Sequence, residues 1–180
     1  MIKKRPLGYI TFETSLGWLV VAESPDGIAL VDFLGPERPS EDAAIAAVVK
    51  EYPDSATVPG ADSGLLEKTK GYILAYLTNR VPYPKVPMDL QKGTPFDRKV
   101  WRAIETIAFG ESRSYSQIAA QTQSAGASRA VGRACGRNPV PILIPCHRVV
   151  ASGGKLGGYS GGLDIKRALL DLEKRDCLSN

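Results

Sequence analysis

The 180 residues predict an α+β protein of two small domains, residues 1–90 and 91–180. Three observations carry that reading. The first third alternates β-branched and aromatic residues in short runs divided by turn residues. The second half consists of short amphipathic segments that open on side-chain caps. Between them, Val81-Pro82-Tyr83-Pro84-Lys85-Val86-Pro87 excludes helix and predicts an extended connection.

Tyr9-Ile10-Thr11-Phe12, Trp18-Leu19-Val20-Val21-Ala22 and Ile28-Ala29-Leu30-Val31-Asp32-Phe33 read as three strands. Gly17 and Pro25-Asp26-Gly27 supply the reversals, so an antiparallel meander is expected. Residues 40–52 predict a helix with Ile45, Val48, Val49 and Tyr52 on its apolar face. A second helix follows, carrying Leu65, Leu66, Thr69, Tyr72, Ile73, Tyr76 and Leu77 on one side.

In the second half, Thr94-Pro95-Phe96-Asp97 is a capping signature, with Thr as N-cap, Pro in the first turn and Asp reaching back. Val100, Trp101, Ile104 and Ile107 form the buried stripe of that helix, which ends by Gly110. Ser114-Tyr115-Ser116-Gln117 is a second capping box and opens a helix to about Gln121. Ser124-Ala125-Gly126 turns the chain into a third helix, Ala127 to Gly136. Two short helices joined by a glycine-containing turn are a helix-turn-helix pattern. In the third helix, Arg129, Arg133 and Arg137 share one stripe, while Val131, Ala134 and Cys135 face inward. Ala130 and Gly132 keep its outer surface thin enough for close approach to a groove. The alternative is a loosely packed Ala/Gly core helix.

The formal net charge of +4 is unevenly spread. Residues 1–92 hold 10 basic and 12 acidic side chains; residues 93–180 hold 13 and 7. No acid lies between Glu111 and Asp164, an interval containing Arg113, Arg129, Arg133, Arg137, Arg148 and Lys155. Such a stretch fits either a polyanion or an ordinary solvated basic face. No apolar run approaches the roughly 20 residues needed to span a bilayer. The basic start lacks a signal peptide's apolar core. Cysteines at 135, 146 and 177 do not form a disulfide framework. With one histidine and no CxxC or HxxxH, no metal or other cofactor is expected. A reducing, cytoplasmic setting follows as the default, or a nuclear one in a eukaryotic source.

The only histidine sits beside a cysteine in Ile144-Pro145-Cys146-His147-Arg148-Val149. A thiol attacks as its thiolate, and imidazole is a suitable base near neutral pH. The competing reading is an inert buried thiol at the end of an apolar strand. A third group is needed to orient the imidazole. In the terminal helix, Ile165, Ala168, Leu169 and Leu172 form the expected buried face, and Glu173 continues it. Glu173 is then either a carboxylate seeking a buried partner or an exposed helix end.

Together these motifs resemble the O6-alkylguanine-DNA alkyltransferases, the methylated-DNA–protein-cysteine methyltransferases. The resemblance runs through Thr94-Pro95-Phe96, Val100-Trp101, Ser114-Tyr115, Arg129-Ala130-Val131-Gly132, Asn138-Pro139, Pro145 to Val149 and Gly158-Tyr159-Ser160-Gly161-Gly162. Lys166, Leu169-Leu170 and Glu173 complete it. It implies a ribonuclease H-like N-terminal α/β domain with an antiparallel sheet. It also implies a mostly helical C-terminal domain of winged-helix or helix-turn-helix type.

The implied chemistry is repair of double-stranded DNA by single-turnover alkyl transfer to Cys146, from O6-alkylguanine and also O4-alkylthymine. Binding from the minor groove and base flipping come first. On that resemblance His147 takes the thiol proton through a water and Glu173 holds His147. Asn138 ties the turn, and Tyr115 donates to the departing purine. Pro141, Val149, Tyr159 and Ser160 border the base: the Ser160 N–H faces O6, and the carbonyls of Cys146 and Val149 accept its amine. Arg129 fills the gap in the stack, with Ser114, Ser128, Ala130, Gly132 and Arg133 against DNA. The protein is expected to be monomeric and free of membrane.

The sequence departs from the family at Ser128, where Ala is common, and at Ala125-Gly126, which replaces a frequent Pro-Lys. Residues 1–134 lack the Cys and His that hold zinc in some relatives. Two other classes fit parts of the pattern. One is a lesion-binding sensor that forms no covalent product; the other is a Cys-His hydrolase, for which no oxyanion-hole motif is present.

Overall fold

Gly27, at φ 134°, closes the second hairpin of the N-terminal sheet, where a Cβ would meet the Pro87 carbonyl oxygen at 2.6 Å. The computed structural model describes residues 5–59, 63–79 and 85–174. The chain divides into two compact units, Met1–Leu90 and Gln91–Asn180.

In the first unit, β1 (Arg5–Thr14), β2 (Gly17–Ser24) and β3 (Gly27–Gly35) form the expected antiparallel meander. Helix α1 (Glu41–Glu51) is capped by Ser40, whose side chain accepts from the Ala43 amide. A short strand, β4 (Ser55–Pro59), then pairs parallel to β1, giving the order β3-β2-β1-β4. Ser55-Ala56-Thr57-Val58 has too little alternation to announce a strand. It forms because β1 presents a free edge, which the tight turn after α1 delivers it to. Helix α2 (Gly64–Asn79) buries Leu66, Thr69, Ile73, Tyr76 and Leu77. Leu65 and Tyr72 of its expected face are partly exposed.

The expected face of α1 is corrected by one position. Ala44 and Val48 are buried against Leu7, Val20, Ala29 and Leu30, while Val49 is 37% exposed. The small Ala44 lets the helix approach the sheet, and that contact outweighs the larger Val49. Val81–Pro84 of the proline-rich connection lie outside the described residues. Its far end is fastened to β3: Ile28 N–H donates to Pro87 at 2.9 Å and Asp89 N–H to Ile28 at 2.8 Å.

In the second unit, α3 (Pro95–Ile104) has the expected capping box between Thr94 and Asp97. It ends well before Gly110, and Ile107 is buried in the turns that follow. Trp101 is also buried, and its indole N–H donates to the Ala134 carbonyl at 2.8 Å. Next come β5 (Arg113–Ser114) and α4 (Tyr115–Gln121), with a second capping box between Ser114 and Gln117. A turn with Gln123 and Gly126 at positive φ leads to α5 (Ser128–Gly136), whose inner side is Val131, Ala134 and Cys135. Strand β6 (Val149–Val150) lies parallel to β5, so the start of α4 is tied to the segment after Cys146.

The last helix, α6 (Leu163–Lys174), buries Lys166, Leu169, Leu170 and Glu173. Ile165, Ala168 and Leu172 are only partly buried. The expected face is therefore rotated by about one residue. Hydrophobicity alone pointed to Ile165, but both charged residues find buried partners that repay their desolvation. Among the described residues no helix is long and apolar enough to cross a membrane.

Candidate active site

Cys146 opens a one-turn 3-10 helix, Cys146–Arg148, and is 2% exposed. The turn before it is built on Asn138. The Asn138 amide nitrogen donates to the Ile144 carbonyl at 2.9 Å and to Cys146 Sγ at 3.2 Å. Its oxygen accepts from Val140 N–H at 3.1 Å. Between these contacts Ile142 is held at φ 72°. A β-branched residue in the left-handed region costs on the order of 1–3 kcal/mol and persists only where its surroundings fix it. Asn138 supplies that fixing and a hydrogen bond to Sγ.

Burial pushes the Cys146 thiol up to about 11, against the smaller opposing effects of the Asn138 hydrogen bond and the Lys166 charge. The resting protein therefore carries a thiol. Burial also holds the imidazole of His147 below its ordinary range, so it is neutral. His147 Nε2 lies 2.9 Å from Glu173 Oε1. Burial alone would raise Glu173, but the hydrogen bonds and charges of His147 and Arg148 bring it down to about 2. Facing an ionised carboxylate, Nε2 carries the proton and Nδ1 the lone pair.

Glu173 is the hub of this cluster. Arg148 Nε donates to both its oxygens, at 3.1 and 2.9 Å, and Nη2 donates at 2.9 Å. Gly110 N–H adds a bond to Oε2 at 3.0 Å. Arg148 Nη1 spans to the Ile107 carbonyl at 2.7 Å. Two turns earlier on α6, Lys166 donates from Nζ to the Val149 carbonyl at 2.7 Å and to Gly157 at 3.2 Å. It also sits 5.9 Å from the centre of the Tyr115 ring.

A cleft of about 730 Å³ is lined by Tyr115, Ser128, Arg129, Gly132, Arg133, Gly157, Tyr159 and Ser160 among others. Tyr159 packs edge-on to His147, with centroids 6.5 Å apart. Burial raises the Tyr115 hydroxyl to about 12, so it stays protonated and able to donate. Gly157 is required here: a Cβ would come within 2.3 Å of the Tyr115 hydroxyl.

The structure thus gathers seven of the sequence-predicted residues, Tyr115, Ser128, Arg129, Gly132, Arg133, Tyr159 and Ser160, around one cleft. Cys146, Asn138, His147, Glu173, Pro141 and Val149 are buried. Ser114 is engaged as the cap of α4, and Ala130 is half-buried on α5.

Three cations of the acid-free interval have partners within the fold. Arg137 pairs with buried Asp97, Nη2 to Oδ1 at 2.6 Å and Nε to Oδ2 at 3.1 Å. Arg148 is buried on Glu173, and Arg113 bonds Thr106 and Gln121. The tasks of Arg148 and Lys166 escape a reading by hydrophobicity. The available signal was spacing: Lys166 and Glu173 stand seven residues apart, two turns along one helix face.

Comparison with known proteins agrees with this geometry. Residues 95–175 match the family model described as 6-O-methylguanine DNA methyltransferase, DNA binding domain. The constitutive methylated-DNA–protein-cysteine methyltransferase of Bacillus subtilis is 40% identical over 169 residues, covering 92% of this chain and 94% of that one. Its counterpart from Methanosarcina acetivorans is 35% identical over 165 residues, covering 92% and 97%. The crystal structure of Mycobacterium tuberculosis OGT in complex with DNA superposes with a TM-score of 0.76 at 36% identity, covering 94% of this chain and 93% of that one. A buried Cys-His-Glu cluster, a cleft under a helix-turn-helix and these matches over nearly the whole chain lead to one assignment: the chain belongs to the methylated-DNA–protein-cysteine methyltransferase family.

Proposed function

We propose that this protein repairs alkylated DNA by direct reversal, moving the alkyl group of O6-alkylguanine, and of O4-alkylthymine, to Cys146. The observation that carries the reading is the pairing of a neutral His147 with an ionised Glu173 beside a protonated, Asn138-bonded thiol. That arrangement stores an acceptor for the thiol proton without charging the site beforehand.

Duplex DNA is engaged from the minor groove by α4 and α5, with Arg133, Ser114, Ser128, Ala130 and Gly132 near the backbone. Arg129 enters the stack as the damaged base swings into the cleft. Pro141, Val149, Tyr159 and Ser160 border the base. The Ser160 N–H faces O6, and the Cys146 and Val149 carbonyls accept from the exocyclic amine; Val149 keeps a second lone pair beside its bond from Lys166.

The thiol proton passes through water to His147 Nδ1. A sulfur lone pair then forms the S–C bond as the C–O6 bond breaks and its electron pair moves into the purine. Tyr115 donates a proton to the ring, and the proton held by His147 restores the tyrosine through solvent. The net change is thiol plus alkylated guanine to thioether plus guanine. A thioether is a poor leaving group, so each molecule reacts once. The protein acts as a monomer in the cytoplasm.

Intact-protein mass spectrometry after incubation with duplex DNA holding one O6-methylguanine tests this. One methylene mass, never more than one per chain and mapped to Cys146, is expected. Binding to the lesion without any mass gain would overturn the transfer in favour of a sensor.

A further inference from the structure

Asp97 is placed where a carboxylate does two jobs. Its Oδ2 accepts from Thr94 N–H at 3.1 Å, completing the cap of α3, and the same carboxylate receives the Arg137 guanidinium at two points. The Asp97 side chain is 1% exposed, whereas that of Arg137 is 51% exposed. Arg137 is itself the C-cap of α5, with its N–H directed to the carbonyls of Arg133 and Ala134. The next residue is Asn138, the donor to Cys146 Sγ. Trp101, on the same α3, holds the Ala134 carbonyl. Helix α3 therefore grips the last turn of α5 twice, at the point where the cleft-lining helix hands over to the reactive turn.

A surface cation meant for phosphate needs none of this. A bidentate guanidinium–carboxylate pair with its acid buried fixes direction as well as charge. Burial would raise Asp97, but the Arg137 and Thr94 hydrogen bonds hold it below its ordinary range, so the pair is ionic. We propose that Asp97 and Arg137 are positioning residues that set Asn138 against Cys146 and register α5 on the reactive turn. This rests on the alkyl-transfer reading above. The groups acting on the sulfur besides Asn138 are Lys166 of α6, Cys135 of α5, Tyr115 of α4 and the backbone N–H of Cys146 itself.

The experiment compares wild type, Asp97→Asn, Arg137→Lys and Arg137→Ala in the full chain, with Val48→Ala in the first unit's core as a destabilised control. Alkylation of Cys146 by free O6-benzylguanine is followed by mass as a function of pH, beside thermal unfolding. Asp97→Asn and Arg137→Ala should slow the free-base reaction about tenfold at neutral pH, with the profile displaced to higher pH as the sulfur loses its amide donor. Arg137→Lys, which keeps the charge but not the fork, should fall between, and the double variant Asp97→Asn/Arg137→Ala should be no slower than the worse single one. Val48→Ala should lower the unfolding temperature and leave the profile in place.

A wild-type rate and profile in folded Asp97→Asn and Arg137→Lys, with only the unfolding temperature reduced, would overturn the proposal. So would weakened DNA binding with an unchanged free-base reaction, which would return Arg137 to phosphate contact. Failure of the wild type to gain mass is a separate result and strikes the alkyl-transfer reading instead.

Discussion

Lys166 and Glu173 lie on the same buried face of α6 and carry opposite charges into the same interior. Lys166 clamps the carbonyls of Val149 and Gly157, while Glu173 collects His147, Arg148 and the Gly110 amide. One helix thus sets both the strand that follows Cys146 and the imidazole of His147.

Glu173→Gln is expected to cost about 3–5 kcal/mol, because it strands a buried guanidinium and removes the imidazole's partner. The sign with pH follows from the shifts. Glu173 is depressed from 4.5 to about 2, so its contribution is complete above pH 4.5 and fades as pH falls toward 2. His147, also depressed, adds to the loss below its ordinary 6.5. Urea unfolding from pH 7 to pH 2 should show wild type losing stability steeply and Glu173→Gln losing less between pH 4.5 and 2. Parallel curves would remove Glu173 as the acid-sensitive group.

The thiol itself should titrate late. With Cys146 at about 11, the thiolate population grows roughly tenfold per pH unit below that value. Carbamidomethylation of Cys146 by iodoacetamide in the free protein, mapped by peptide mass, should rise about a hundredfold from pH 7 to pH 9 without a plateau. Saturation near the ordinary cysteine value would mean that burial does not govern this sulfur.

Cys146→Ser should abolish transfer and leave affinity for lesion-bearing duplex within about twofold, since a buried thiol contributes little to binding energy. Fluorescence anisotropy on labelled duplex measures this. Affinity lost along with transfer would join two functions that the geometry separates.

Arg129→Ala should slow repair of duplex by roughly tenfold or more while sparing reaction with free O6-benzylguanine, which needs no flipping. Its partner on the cleft rim, Arg133, should instead reduce the salt dependence of binding by about one when replaced by Ala. Stopped-time mass measurements and salt titrations distinguish the two.

Gly93→Ala should destabilise by about 1–3 kcal/mol through overpacking, because a Cβ there meets the Trp101 ring at 2.3 Å. Denaturant unfolding reads this directly. An unchanged midpoint would show that the indole has room to withdraw.

Much of the second unit was legible because its signals are local. Two capping boxes, at Thr94 and Ser114, fix helix starts through hydrogen bonds that span three residues. The Cys146-His147 adjacency likewise needs no fold to be noticed. What was not legible depends on distant partners. Arg137 and Arg148 look like any surface cations until Asp97 and Glu173 meet them across the fold. Strand β4 exists because β1 has an edge to offer, and Lys166 is inside because three carbonyls converge on it. A pattern of hydrophobicity does not encode those meetings.

The cluster around Glu173 has a consequence in its charge balance. Before reaction the carboxylate and guanidinium cancel, the imidazole is neutral and the sulfur keeps its proton, so this cluster begins with no net charge of its own, beside the single positive charge of Lys166. Moving the proton creates a cation and an anion within the protein, and the incoming alkyl group extinguishes only the anion. The imidazole is then left holding a proton with no sulfide opposite it, and release of that proton returns the cluster to its starting charge. The thioether that remains offers nothing for the imidazole to deprotonate. On the proposed mechanism, spent and fresh molecules are therefore electrostatic equals and chemical opposites.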